Sequence, residues 1–148
     1  MLDAVILAPD ERLLRVAARV DGADDVEAIV RRMQQFIDGR VLGLAAPQIG
    51  IAKRVVVINF ADMPVVMVNP RIIEQSVERT VSSESCLSLP SRRFLVGRPS
   101  MIVVDYRNAD GVARQERATG YRAKCILHEM DHLDGILVDS HGTEIADA

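Results

Sequence analysis

His128 and His132 stand four residues apart in the stretch from Gly120 to Asp134, and that spacing constrains the fold more than any other feature of the chain. The stretch predicts a helix closed by Gly135. Helical residues three and four apart share a face, so Tyr121, Cys125, His128 and His132 line up together. A face carrying two histidines inward is unusual for a plain core stripe. His128-Glu129-Met130-Asp131-His132 matches H-E-x-x-H, in which both imidazoles reach one metal ion and the offset glutamate serves as general base. The plain alternative is two hydrogen-bonded core histidines and a solvated glutamate. The five residues alone leave both open.

A catalytic site of this kind takes a third protein ligand and keeps one position for water. The position for a third histidine after His132 is held by Val138, which excludes that arrangement. A downstream carboxylate has little chain to come from, since Glu144 lies in a short polar tail. Cys125 shares the helix face but lies two turns from His132, about 10 Å along the axis. Ligand bonds of about 2 Å do not close that gap, so Cys125 reads as a core cysteine. Cys86, in Glu84-Ser85-Cys86-Leu87-Ser88-Leu89-Pro90, is far enough away in sequence to come from a facing strand or loop. Cys86, His128 and His132 are therefore the candidate metal ligands.

The rest of the chain predicts an α+β domain, with small antiparallel or mixed sheets packed around that C-terminal helix. Asp10 caps a short helix over 11–20, and Asp24 or Asp25 caps a second that runs through Asp38 to Gly39. Residues 41–50 hold Pro47 and two glycines and predict no long element. Residues 54–60 and 65–69 read as strands, with Pro70 interrupting the second before 71–74. Residues 101–106 and 112–117 form a hairpin around Gly111. The tail, 139–148, is expected to be polar and frayed. A length of 148 residues and a hydrophobic fraction of 49% suit one domain over 1–148. A net charge of -3 with scattered basic residues argues against a DNA partner. Two cysteines do not make a disulfide scaffold, and no apolar run is long enough to span a membrane. The N-terminus has no basic segment or cleavage site of a secretory signal, so the cytoplasm is the expected compartment.

Three ordered motifs resemble the peptide deformylase family: Gly43-Leu44-Ala45-Ala46-Pro47-Gln48, Glu84-Ser85-Cys86-Leu87-Ser88, and His128-Glu129-Met130-Asp131-His132. Pro9-Asp10, Arg12-Leu13, Asn69-Pro70, Val96 and Arg98 extend the resemblance over about Leu7 to Asp139. It implies a deformylase-like fold and removal of the formyl group from the N-terminal formyl-methionine of new polypeptides. It gives Cys86, His128 and His132 the metal, typically ferrous iron, replaceable by zinc, nickel or cobalt. It makes Glu129 the proton carrier, Gln48 and the Leu87 N–H the oxyanion donors, and places the backbone groups of Gly43 and Leu44 along the substrate channel. Glu84, Arg98 and Asp131 are expected to orient His132 and Cys86.

Three positions depart from the family pattern. Val41 and Ser85 replace glycines, and Leu127 replaces the glutamine before the first histidine. Val41 and Ser85 lie where backbone approaches substrate, so Ser85 joins the expected substrate-binding residues. A relative that hydrolyses another N-acyl or small amide, and a catalytically weak domain held together by its metal, are the alternative readings. The tail beyond Asp139 has no Lys or Arg, which argues against ribosome docking through a basic C-terminal helix.

Overall fold

The computed structural model describes residues 4–60 and 63–146. Its centre is helix α2, Gly120–Leu133, which lies across a five-stranded antiparallel sheet. That sheet has the order β1 (Gly43–Ala45), β2 (Val55–Ile58), β3 (Val65–Gln75), β6 (Met101–Arg107), β7 (Ala113–Thr119). Ala123, Ile126, Met130 and Leu133 of the helix bury against Val56, Ile58, Met67, Ile102 and Val104 of the sheet. The other face of β2 is covered by helix α1, Val26–Gln34, through Val30 and Met33 against Val55, Val57 and Leu44. Cover on both faces explains why β2 is an unbroken apolar run rather than an alternating one. A second antiparallel sheet joins β4 (Arg79–Cys86), β5 (Leu89–Pro99) and β8 (Thr143–Ile145), with Phe94 and Val96 packed on Leu13, Leu137 and Val138. The fold class is α+β, as expected. Among the described residues no helix is long and apolar enough to cross a membrane.

Several elements differ from the sequence expectation for identifiable reasons. The first helix is one turn of 3-10 helix, Glu11–Leu14, capped by Asp10. Beyond it the Ala17 and Ala18 N–H groups donate to the Leu133 and Ala52 carbonyls, which draws the chain away from helical bonding. Helix α1 is capped by Asp25 and ends at Gln34, and the turns that follow keep Phe36 and Ile37 on the same apolar cluster. Pro70 does not end β3. The ladder shifts register between Val68 and Arg71, and Asn69 takes φ 50° with its amide bonded both ways to the Val20 backbone. Residues 43–50 form β1 and a 3-10 turn, Ala46–Ile49. The tail is not wholly frayed, because β8 pairs with β5 and Glu144 is bound by Arg92. Residues 147 and 148 of that tail lie outside the described residues.

Candidate functional site

The end of β4, the turn after β1 and the middle of α2 meet at one point. Gly135, at φ 71°, ends α2, with its N–H on the His132 carbonyl. Cys86 stands where the β4–β5 ladder shifts register, which turns its sulfur inward, 3.4 Å from His132 Nε2. One ligand atom each from Cys86, His128 and His132 lie within 4.8 Å of one another. Bonds of about 2.3 Å to sulfur and about 2.0 Å to nitrogen, meeting at a tetrahedral angle, set a sulfur–nitrogen separation of about 3.5 Å. The donor set and its spacing therefore fit a single ion.

Neighbouring groups set the charge of the two histidines. His128 Nδ1 donates to Glu84 Oε1 at 2.8 Å, which leaves Nε2 as its ligand atom. Glu84 is clamped by Arg98, with Nε on Oε2 at 2.6 Å and a second nitrogen on Oε1 at 2.9 Å. Arg98 also reaches Asp131 at 2.9 Å. Burial alone would raise the Glu84 carboxyl, but its hydrogen bonds to His128 and Arg98 outweigh that and hold it at about 2. Burial, with the charges of His128 and Arg98 nearby, lowers His132 to about 3, so its imidazole is neutral. Burial also opposes charge on His128, yet the Cys86 sulfur and Glu84 carboxylate beside it raise it to about 10. An ion entering the site displaces that proton. The trio Glu84, Arg98 and Asp131 thus orients His128, not His132, whose Nδ1 is buried without a protein partner.

Glu129 is buried, and burial lifts its carboxyl to about 7 against the pull of His128 and Arg98. Its Oε1 has no hydrogen-bond partner among the described residues. Gly43 lies directly against it: a Cβ there would stand 2.8 Å from Glu129 Oε2 and 2.9 Å from its Cγ. Only glycine lets β1 come this close. Gly43→Ala is therefore expected to displace Glu129 and lower kcat about 10²-fold while metal content stays at one ion per chain. Kinetics and elemental analysis check both halves. Gln48 is also buried, and its Oε1 accepts from the Ala45 N–H at 2.9 Å. That turns Nε2 toward the site, 3.1 Å from Ser88 Oγ and 3.8 Å from Cys86 Sγ.

A groove of about 310 Å³ runs over His128 and Glu129, with Val41 to Gly43 on one wall and Ser85 to Leu87 on the other. The structure thus brings together Cys86, His128, His132, Glu129, Gln48, Gly43, Ser85 and Leu87. The Leu44 side chain is fully buried on the α1 side, which leaves only its backbone for the role expected of it. Strand β1 is a sheet edge, and its first residue, Gly43, lines this groove, while the Ala45 N–H is taken by Gln48. Cys125 is buried in the core, as the spacing argument required. Tyr121 is half exposed rather than inward. Lys124, one turn before His128, was not singled out from sequence, yet it lines a separate pit that opens on the same two residues.

A family model described as polypeptide deformylase matches residues 2–146. The peptide deformylase of Finegoldia magna is 38% identical over 140 residues, covering 92% of this chain and 86% of that protein. Peptide deformylase 2 of Gloeobacter violaceus is 41% identical over 147 residues, covering 92% and 78%. Among solved structures, a class I type b peptide deformylase from Acinetobacter baumannii superposes with a TM-score of 0.88 at 32% identity, covering 95% of this chain and 99% of the other. The Synechococcus elongatus peptide deformylase in complex with actinonin gives 0.85 at 37% identity, covering 90% and 74%.

Proposed function

The chain belongs to the polypeptide deformylase family, hydrolases that remove the N-formyl group from new polypeptides, and from that premise we propose how its own residues divide the work. Cys86, His128 and His132 hold one divalent ion, with ferrous iron as the native metal and zinc, nickel or cobalt as substitutes, since one sulfur and two imidazoles suit all four. Once bound, the ion supplies Lewis acidity and lowers the pKa of the water it holds toward neutrality.

The formylated chain end lies extended in the groove along the free edge of β1, where backbone pairing positions it. Glu129 takes the proton of the attacking water, and the water oxygen bonds to the formyl carbon. The Gln48 amide and the Leu87 N–H meet the negative charge that develops on the formyl oxygen. The carbon–nitrogen bond then breaks, and Glu129 returns the proton to the amine nitrogen. Formate and a free N-terminus leave. The close approach of Gly43 to Glu129 keeps the space above the carboxylate narrow, which suits a formyl group and excludes larger acyl groups.

The observation that carries this reading is the convergence of three ligand atoms beside a buried carboxylate with an unpartnered oxygen. The expected result is formate release from formyl-Met-Ala-Ser by protein loaded anaerobically with iron or nickel, and no hydrolysis of acetyl-Met-Ala-Ser. Hydrolysis of the acetyl peptide alone would replace the formyl assignment with another N-acyl substrate. Both free cysteines are buried, and we assign the protein to the cytoplasm, where the ligand thiol stays reduced.

A further inference from the structure

The pit beside the reacting centre has a volume of about 190 Å³ and opens at His128 and Glu129. That volume suits one side chain rather than a length of peptide. The formyl group is bonded to the nitrogen of the first residue, so with the formyl carbon at Glu129 that residue's side chain starts within a few bonds of the mouth of the pit. The pit is not a plain apolar socket. Ser83, Ser85, Tyr121 and Lys124 line it, along with Leu42 and Cys125.

Lys124 is 9% exposed. Its Nζ donates to the Ser83 carbonyl at 3.1 Å and lies 3.6 Å from the Tyr121 ring centroid. Lys124 also lines a second cavity, of about 180 Å³, with Ser82, Arg98 and Pro99. Lys124 and Tyr121 thus stand between the two. Of the two carboxylates in the wall, Glu84 is already bound by Arg98 and His128, and Glu129 is the one at the reacting centre. An ammonium carries three N–H donors. The Ser83 carbonyl takes one, and the Tyr121 face offsets charge without replacing an oxygen acceptor. A hydrocarbon chain end pushed into the pit would displace solvent from the remaining donors and give nothing back, which costs binding.

We propose that Lys124, framed by Ser83 and Tyr121, makes this pit a subsite for an N-formyl residue whose side chain has about the length of methionine and ends in an oxygen acceptor. Methionine sulfoxide and glutamine fit that description fully, methionine in part through its weakly accepting sulfur, and a hydrocarbon chain of equal length not at all. The inference rests on the deformylase reading above. It makes Lys124 a specificity-determining residue rather than part of the proton transfer.

The test compares kcat/KM on formyl-Met(sulfoxide)-Ala-Ser, formyl-Gln-Ala-Ser and formyl-norleucine-Ala-Ser for the wild type, Lys124→Met and Lys124→Gln. The wild type is expected to prefer the sulfoxide to norleucine by about tenfold or more, the worth of one hydrogen bond to a charged donor. Lys124→Met is expected to remove or reverse that ratio, and Lys124→Gln, which keeps a donor, to retain part of it. A wild-type preference for norleucine overturns the proposal. So does a ratio unchanged in Lys124→Met or, should that variant fail to fold, in Lys124→Gln. Formate release from all three peptides without preference sinks the subsite and leaves the deformylase reading standing. No formate release from any of the three peptides and none from formyl-Met-Ala-Ser sinks both.

Discussion

Replacing Glu129 by alanine leaves one metal ion per chain and lowers kcat by about 10²–10⁴-fold, the range expected for a lost general acid–base group. Glu129 is not one of the three ligand atoms that converge, so the ion keeps its protein partners. What the variant loses is a buried carboxyl that exchanges its proton near neutral pH, because burial has lifted it to about 7. Glu129→Gln separates chemistry from packing. It preserves the volume that Gly43 abuts and cannot accept the proton, so it is expected to be as slow as the alanine variant with thermal stability close to wild type. Formate release and elemental analysis on the same preparations decide the matter, and wild-type turnover in Glu129→Gln would remove the residue from its role. Gly43→Ala disturbs the same carboxylate from the opposite side, so its slowing is expected to be partial where that of the Glu129 variants is deep.

Helix α2 was legible because several local signals agree there: a glycine stop, an inward histidine face and a continuous apolar pattern. The β6–β7 hairpin was legible for the same reason, with Gly111 at its turn. Strands β4 and β5 left no such trace. Most of their residues are Ser, Arg, Thr or Glu, and Cys86, Leu89, Phe94 and Val96 are the apolar residues they bury in the second core. Strand β8 is three residues whose identity as a strand depends on the β5 edge it finds. In the site, the candidate ligands that the structure brings together were reached in sequence by spacing and elimination, since helical geometry fixes what Cys125 and the two histidines can reach. The partner of Arg98 and Glu84 did not. That His128 rather than His132 takes the carboxylate depends on the rotation of α2 against β4. Lys124 was silent in sequence, where a lysine on a helix reads as solvated. It is buried because the Ser83 carbonyl of β4 arrives from elsewhere in the fold and meets it beside the Tyr121 ring, three residues back on the same helix.

Arg98→Ala is expected to destabilise the protein by about 3–5 kcal/mol, because it strands a buried carboxylate. Arg98 is 7% exposed and Glu84 4% exposed, and the two meet through two short nitrogen–oxygen contacts. With the guanidinium gone, Glu84 keeps only His128 as a charge partner in the interior. Its carboxylate then holds a proton on that imidazole more tightly, and a protonated ring competes with an ion for the same nitrogen. Metal affinity is therefore expected to fall about 10- to 100-fold, the usual cost of removing a group that orients a ligand. The paired variant Arg98→Met with Glu84→Met tells these two effects apart. Apolar residues of similar length relieve the stranded charge, so urea unfolding of the metal-free protein is expected to recover much of the lost stability. Metal affinity is not expected to recover, since His128 Nδ1 has lost its acceptor. If the paired variant regained affinity along with stability, the Glu84–His128 contact would be a matter of packing, and the orientation of His128 would have to come from the helix alone.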